Sequence, residues 1–267
     1  MEIAEHLAAL RRQGELLAAA AERVDHAATV PGAPAWQVAD MVRHVGLVHR
    51  WAAGAVREGR QDGTVYGSDD GSDVSGAALV EWFRAGHAAL LEALARADPG
   101  VQCFTFLPAP SPLAFWARRQ THETGIHRAD VESAGGSVTP FPVEVALDGM
   151  DEIIAGFAAR RSSKWTDPER TLGVLPTDAP GEGWLVHVGA AGSAPVRSAA
   201  AAAGAECVVR GTASDLYLLL WNRVDAAGVD VSGDDGVLPA WRKRVRVRWG
   251  GPGPRRARPE AAAPATG

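Results

Sequence analysis

His122-Glu123-Thr-Gly-Ile-His127-Arg128-Ala-Asp130 is the densest run of chemistry-bearing side chains in this chain of 267 residues. A zinc-protease helix needs two histidines four residues apart with a glutamate beside the first. Here the two histidines are five apart, and at about 100° per residue five steps turn them well away from each other. Glu123 and His127 are four apart, so on a helix they stack on one face. A carboxylate and an imidazole so placed can share one divalent cation. They can equally make a plain Glu–His hydrogen bond on a solvated face. Asp130 follows His127 by three and lies on the same side, suited to supporting a metal ligand or a substrate.

Outward from this run, the surrounding helix spans about Leu113 to Ala134. Ser111 is its N-cap with Pro112 at the first helical position, and Gly135-Gly136 stops it. Apolar spacing predicts three helices before it, at about Glu2–Val24, Pro34–Arg57 and Ala77–Ala97, and a fifth from about Pro142 to Arg161. The Gly/Asp/Ser-rich stretch Glu58–Gly76 reads as a surface loop. Helices of this length joined by loops make a bundle. In the second helix His44 stands among Met41, Val45 and Val48, so it points inward. A lone core histidine is commonly satisfied by one hydrogen bond. A bundle can also bring His44 to Glu123 and His127. Two imidazoles, a carboxylate and an open fourth position have the composition of a catalytic metal site. Asp40, one turn before His44, can orient an imidazole. His49 is five residues from His44, so the two do not easily face one ion.

The texture changes after Ser163. Leu172–Val174, Trp184–Val188 and Glu206–Arg210 are short apolar runs bounded by turn residues, a strand pattern. Thr212-Ala-Ser-Asp215 has the form of a capping box and opens an apolar helix through Leu216 and Trp221. Val245, Val247 and Trp249 alternate with Arg244, Arg246 and Arg248, an expected edge strand. From Gly250 to Gly267 the chain is Gly, Pro, Ala and Arg, an expected disordered tail. The expected organisation is a helical unit over 1–163, a small α/β unit over 164–249, and a tail over 250–267.

The net charge of −5 argues against a nucleic-acid binder. Two cysteines, Cys103 and Cys207, exclude a disulfide framework and a cysteine-rich zinc module. No apolar run approaches the ~18–20 residues of a membrane span, and the first residues are amphipathic and charged rather than a signal peptide. The expectation is a soluble cytoplasmic protein, a monomer or homodimer, acting on small molecules and touching neither nucleic acid nor membrane.

Pro34-Ala-Trp36-Gln-Val-Ala-Asp40-Met-Val-Arg-His44-Val, followed at a distance by the His122–Asp130 run, resembles the mycothiol-dependent maleylpyruvate isomerase family. Arg210-Gly-Thr212-Ala-Ser-Asp215-Leu-Tyr-Leu-Leu-Leu220-Trp221-Asn-Arg223 is similar to the helix entry of that family's second domain. The ordered combination covers the chain up to about Trp249. The resemblance implies a DinB-like four-helix bundle followed by a small α/β, sterol-carrier-like domain. It implies that His44, Glu123 and His127 hold a divalent metal, usually zinc, and that mycothiol is the thiol cofactor. An arginine of the small domain matters for activity in that family, and Arg223 is the candidate. The family often has Cys-Pro-Gly just before the Trp; here the run is Gly32-Ala33-Pro34-Ala35, so this chain is not a close copy.

A coordinating thiol is deprotonated by a bound divalent cation, and thiolate is the reactive form. The implied activity is attack of that thiolate on an electron-poor carbon of a small electrophile. Loss of the thiol after bond rotation gives cis–trans isomerisation. Retention of the adduct makes the same site an S-transferase, and a non-catalytic metal-binding module is the third possibility on this fold. Anionic substrates would call for cations, and Arg119, Arg43, Arg128 and Arg223 are candidates. Since 25 of the 27 basic residues are arginine, residue type alone discriminates poorly among them. Trp51 and Trp116 lie on the same helices as the ligands and either wall a pocket or pack the core. Cys103, just before the metal helix, reads as a buried thiol.

Overall fold

Four long helices form the first half of the molecule: α1 (Ile3–Arg23), α2 (Val38–Glu58), α3 (Gly76–Arg96) and α4 (Pro112–Ala134). The computed structural model describes residues 1–63, 69–162, 168–189 and 193–247. α1 and α2 each pack against both α3 and α4, so the four close into a bundle. One end of its core holds Leu17, Met41, Val45 and Phe83; the other holds Leu10, Trp51, Leu90 and Trp116. Between these ends lies a polar layer. The ring of His49 meets Thr124 Oγ1 at 2.8 Å, and the His87 ring stacks on Phe83. Gly14 lets α1 approach that layer, because a Cβ there would lie 2.2 Å from the His87 ring.

α4 starts as expected, with Ser111 Oγ accepting from the Ala114 N–H and Pro112 at the first position. Its Leu113, Phe115 and Trp116 enter the bundle core, while Ile126 and Ala129 enter a second core. α5 (Val143–Asp151) runs through a π-helical stretch, Glu152–Ala158, into α6 (Ala159–Ser162). Its apolar side, with Val145, Met150, Ile153 and Ile154, packs into that second core.

The second unit is a five-stranded sheet of order β3-β2-β1-β4-β5, built from β1 (Arg170–Pro176), β2 (Trp184–Val188), β3 (Val196–Arg197), β4 (Cys207–Gly211) and β5 (Asp230–Gly233). β1 and β4 are parallel and the other pairs antiparallel. α7 (Ala199–Ala203) lies in the crossover between them, and α8 (Ala213–Leu220) follows β4. Thr212 caps α8 by accepting from the Asp215 N–H, as its sequence predicts. The architecture is a four-helix bundle followed by a small α/β unit.

The edge strand expected at Val245–Trp249 does not form over the described residues. α9 (Val237–Arg244) ends there instead, and 245–247 are irregular. Val245 is buried in the second core, and its carbonyl accepts from Asn222 Nδ2 at 2.7 Å. Its apolar side chain is thus covered by packing rather than by strand pairing. Trp249, the 163/164 division and the 250–267 tail lie outside the described residues. Among the described residues no helix is long and apolar enough to cross a membrane.

Candidate metal centre

α2 carries His44 and α4 carries Glu123 and His127 to the same place. His44 Nε2 is 3.1 Å from Glu123 Oε1, and His127 Nε2 is 3.2 Å from the same oxygen. Their ligand atoms all lie within 4.8 Å of one another. Two imidazole nitrogens converging on one carboxylate oxygen form a donor set that fits a divalent cation.

Each of the two α4 side chains is held from behind. Glu123 Oε2 accepts from Arg119 Nη2 at 3.0 Å, and the other end of Arg119 pairs with Glu152. Glu152 lies at the start of the π-helical stretch, and such stretches are frequent at functional sites. His127 Nδ1 meets Asp130 Oδ2 at 2.8 Å, which leaves Nε2 for Glu123 Oε1 or a cation. Asp130 in turn accepts two bonds from Arg223, at 2.9 and 3.1 Å. An ion pair thereby joins the second unit to this site as well. Gly32 closes over this pair, where a Cβ would sit 3.1 Å from Asp130 Oδ1.

The charges follow from these contacts. Burial would raise the Glu123 pKa, but His127, His44 and Arg119 hold it well below the usual carboxylate range. Burial would lower His127, yet Glu123 and Asp130 carry it up to about 8. Burial lowers His44 despite its bond to Glu123. Asp130 is also held low, against burial, by Arg223 and His127.

The centre lines a cavity of about 390 Å³. Trp36, Trp51, Phe106, Phe157 and Trp221 supply aromatic walls. Trp36 also meets the His44 ring edge-on at 5.4 Å.

The other expected residues divide. Arg119 and Arg223 line the cavity, and Asp130 supports a ligand. Asp40 does not orient an imidazole. Its carboxylate accepts from the Gln37 N–H at 3.0 Å in a capping box that starts α2, a demand local to the helix end that a residue one turn from His44 also meets. Arg43 donates to the carbonyls of Gly71 and Val74, and Arg128 is buried against Gln13 and Glu132; neither lines the cavity. His49 belongs to the polar layer. Trp51 is a wall, whereas Trp116 is core, with its N–H donated to the Phe104 carbonyl. Cys103 is a buried free thiol away from the cavity lining, its pKa pushed up by burial. Sequence reading missed Glu152, Gln120, Phe157 and Trp221. The signal for Trp221 was its place two residues before Arg223.

The description "Mycothiol maleylpyruvate isomerase N-terminal domain" matches residues 7–132, and "MDMPI C-terminal domain" matches residues 144–240. Together the two family models span most of the chain. Among solved structures, the mycothiol-dependent maleylpyruvate isomerase shares the fold at TM-score 0.60 and 18% identity, covering 87% of this chain and 93% of that one. A histidine-to-alanine variant of it gives TM-score 0.62 and 17% identity over the same shares. A search of the curated proteins finds no match. The chain belongs to the mycothiol-dependent maleylpyruvate isomerase family.

Proposed function

We propose that the protein is a metal- and mycothiol-dependent enzyme that catalyses a maleylpyruvate-isomerase-like cis–trans isomerisation of a small electrophile. The observation that carries this reading is the convergence of His44 Nε2 and His127 Nε2 on Glu123 Oε1 at the wall of a cavity. A divalent cation held there by His44, Glu123 and His127, most simply zinc, would with mycothiol supply a thiolate at neutral pH.

The chain's own residues prepare that site. Arg119 fixes the orientation of Glu123, and Asp130 fixes the tautomer of His127. Arg223 holds Asp130 in place and lines the cavity. The indoles of Trp36, Trp51 and Trp221 keep water from the reacting atoms. Two free, buried cysteines agree with a reducing, cytoplasmic setting.

S-transfer at the same site is the second reading, favoured by the fact that both cavity arginines are already paired with carboxylates. Mass spectrometry of products from the metal-loaded protein with mycothiol separates the two. Unchanged substrate mass and undiminished thiol support isomerisation. A gain of one thiol supports transfer. Thiol-independent behaviour in a metal-free protein contradicts both.

A further inference from the structure

The cavity pairs aromatic walls with cations that are already committed. Among its described lining residues the permanent cations are Arg119 and Arg223. Arg119 lies between Glu123 and Glu152, and Arg223 forks onto Asp130. With both imidazoles neutral, as metal binding requires, three carboxylates against two guanidiniums leave one negative charge. A divalent cation would turn it into one positive charge, and a thiolate would cancel that. Among the described lining residues no uncommitted cation is then left over for an anionic substrate. A ligand with two carboxylates would bring two charges against described lining cations that are already paired.

Beside the indole N–H groups, the lining holds one neutral amide. Gln120 is 1% exposed, and its side-chain oxygen is buried with no hydrogen-bond partner among the described residues. A primary amide or hydroxyl on the ligand, offering both donor and acceptor, would satisfy it whichever way the amide is turned. Trp36, Trp51, Phe157 and Trp221 offer flat apolar faces around it.

Resting on the metal and thiol reading above, we propose that the cavity takes an electrophile with a flat, apolar or aromatic body and a neutral polar group. It selects against the dicarboxylate that the name maleylpyruvate denotes. This deepens the proposed function by assigning its substrate class.

Isothermal titration of the zinc-loaded, mycothiol-bound protein with cinnamamide, a flat conjugated aromatic amide, and with maleate, a dicarboxylate, tests it without relying on turnover. Cinnamamide is expected to bind at least tenfold more tightly. Trp36→Ala should remove most of that preference, and Val247→Arg, which adds an uncommitted guanidinium to the lining, should strengthen maleate binding. Equal or tighter binding of maleate by the unaltered protein, or binding of neither ligand, would overturn the proposal. Zinc content and thiol consumption are measured on the same preparation. If both are absent while cinnamamide is preferred, the proposed chemistry fails and the cavity assignment stands. If both are present while maleate is preferred, the cavity assignment alone fails.

Discussion

α4 carries histidines into two clusters of the same donor types, two imidazoles and a carboxylate. His44, Glu123 and His127 make one; His6, His122 and Asp148 make the other, and in each the ligand atoms lie within 4.8 Å of one another. Their neighbours differ. Glu123 Oε1 faces two imidazoles, while the arginine binds the other oxygen. In the second cluster Arg118 Nε takes Asp148 Oδ1 at 2.7 Å, the same oxygen that His122 Nε2 meets. The second nitrogen of His122 faces the Tyr217 hydroxyl at 3.1 Å. The first cluster opens on the cavity; none of the second lines it. Donor identity and spacing therefore do not make a metal centre by themselves. An oxygen left for the cation and a path to it do. The second cluster is better suited to joining α1, α4, α5 and α8 than to holding an ion.

The largest expected contrast is between the two arginines. Arg119 is 4% exposed at its side chain, with Glu152 buried and Glu123 part-buried, whereas Arg118 is 26% exposed. Arg119→Met should cost about 3–5 kcal/mol of stability, because it leaves Glu152 and Glu123 without their cation. Arg118→Met should cost about 1 kcal/mol. Urea unfolding of the two variants measures both, and equal losses would break the comparison.

Asp148→Ala comes next. It removes the partner of a fully buried His122, and should cost about 1–3 kcal/mol while leaving metal affinity unchanged. Asp130→Asn should do the reverse. The fold survives, but metal affinity falls about 10–100-fold because His127 loses its orienting carboxylate. Competition with a metal chelator reads both variants. A metal affinity that follows Asp148 and ignores Asp130 would exchange the roles assigned to the two clusters.

The most gradual effect is in pH. Burial lowers His6, in the second cluster, and His87, in the polar layer, to about 4. The unfolded chain then takes up protons first, so their contribution is complete above about pH 6.5. It fades as pH falls toward 4, by at most about 1.4 kcal/mol per unit per group. His127 runs the other way. With its pKa raised to about 8, its ion pairs stabilise the metal-free fold fully below about 6.5 and lose their effect as pH rises through 8. A cation must displace that proton, so metal affinity should climb about tenfold per unit up to about pH 8. Unfolding and metal titrations across this range check both slopes. A flat metal affinity between pH 6 and 8 would remove the proton from His127.

The features legible in the sequence were those with local causes. Ser111-Pro112 and Thr212–Asp215 start helices through bonds within one turn, and Glu123 and His127 share a face by helical spacing alone. His44 was reached through apolar neighbours and family resemblance. Glu152 was not legible, because its pairing with Arg119 spans 33 residues and depends on a π-helical stretch. Asp40 and Asp130 looked alike as acids one turn from a candidate histidine. Only Asp40 stands at a helix start, where a free backbone N–H claims it. The Val/Arg alternation near Val245 has strand periodicity, but the tertiary core took its apolar residue instead. The aromatic walls come from five separate elements or loops, so no local pattern announces them.

The central claim is that metal belongs to the His44 cluster and not to its double. Elemental analysis of purified, metal-loaded protein tests it directly, comparing His44→Ala with His122→Ala at equal folded fraction. The account predicts that His44→Ala loses stoichiometric divalent metal while His122→Ala retains one ion per chain. Full metal content in His44→Ala, or its loss in His122→Ala alone, would contradict it.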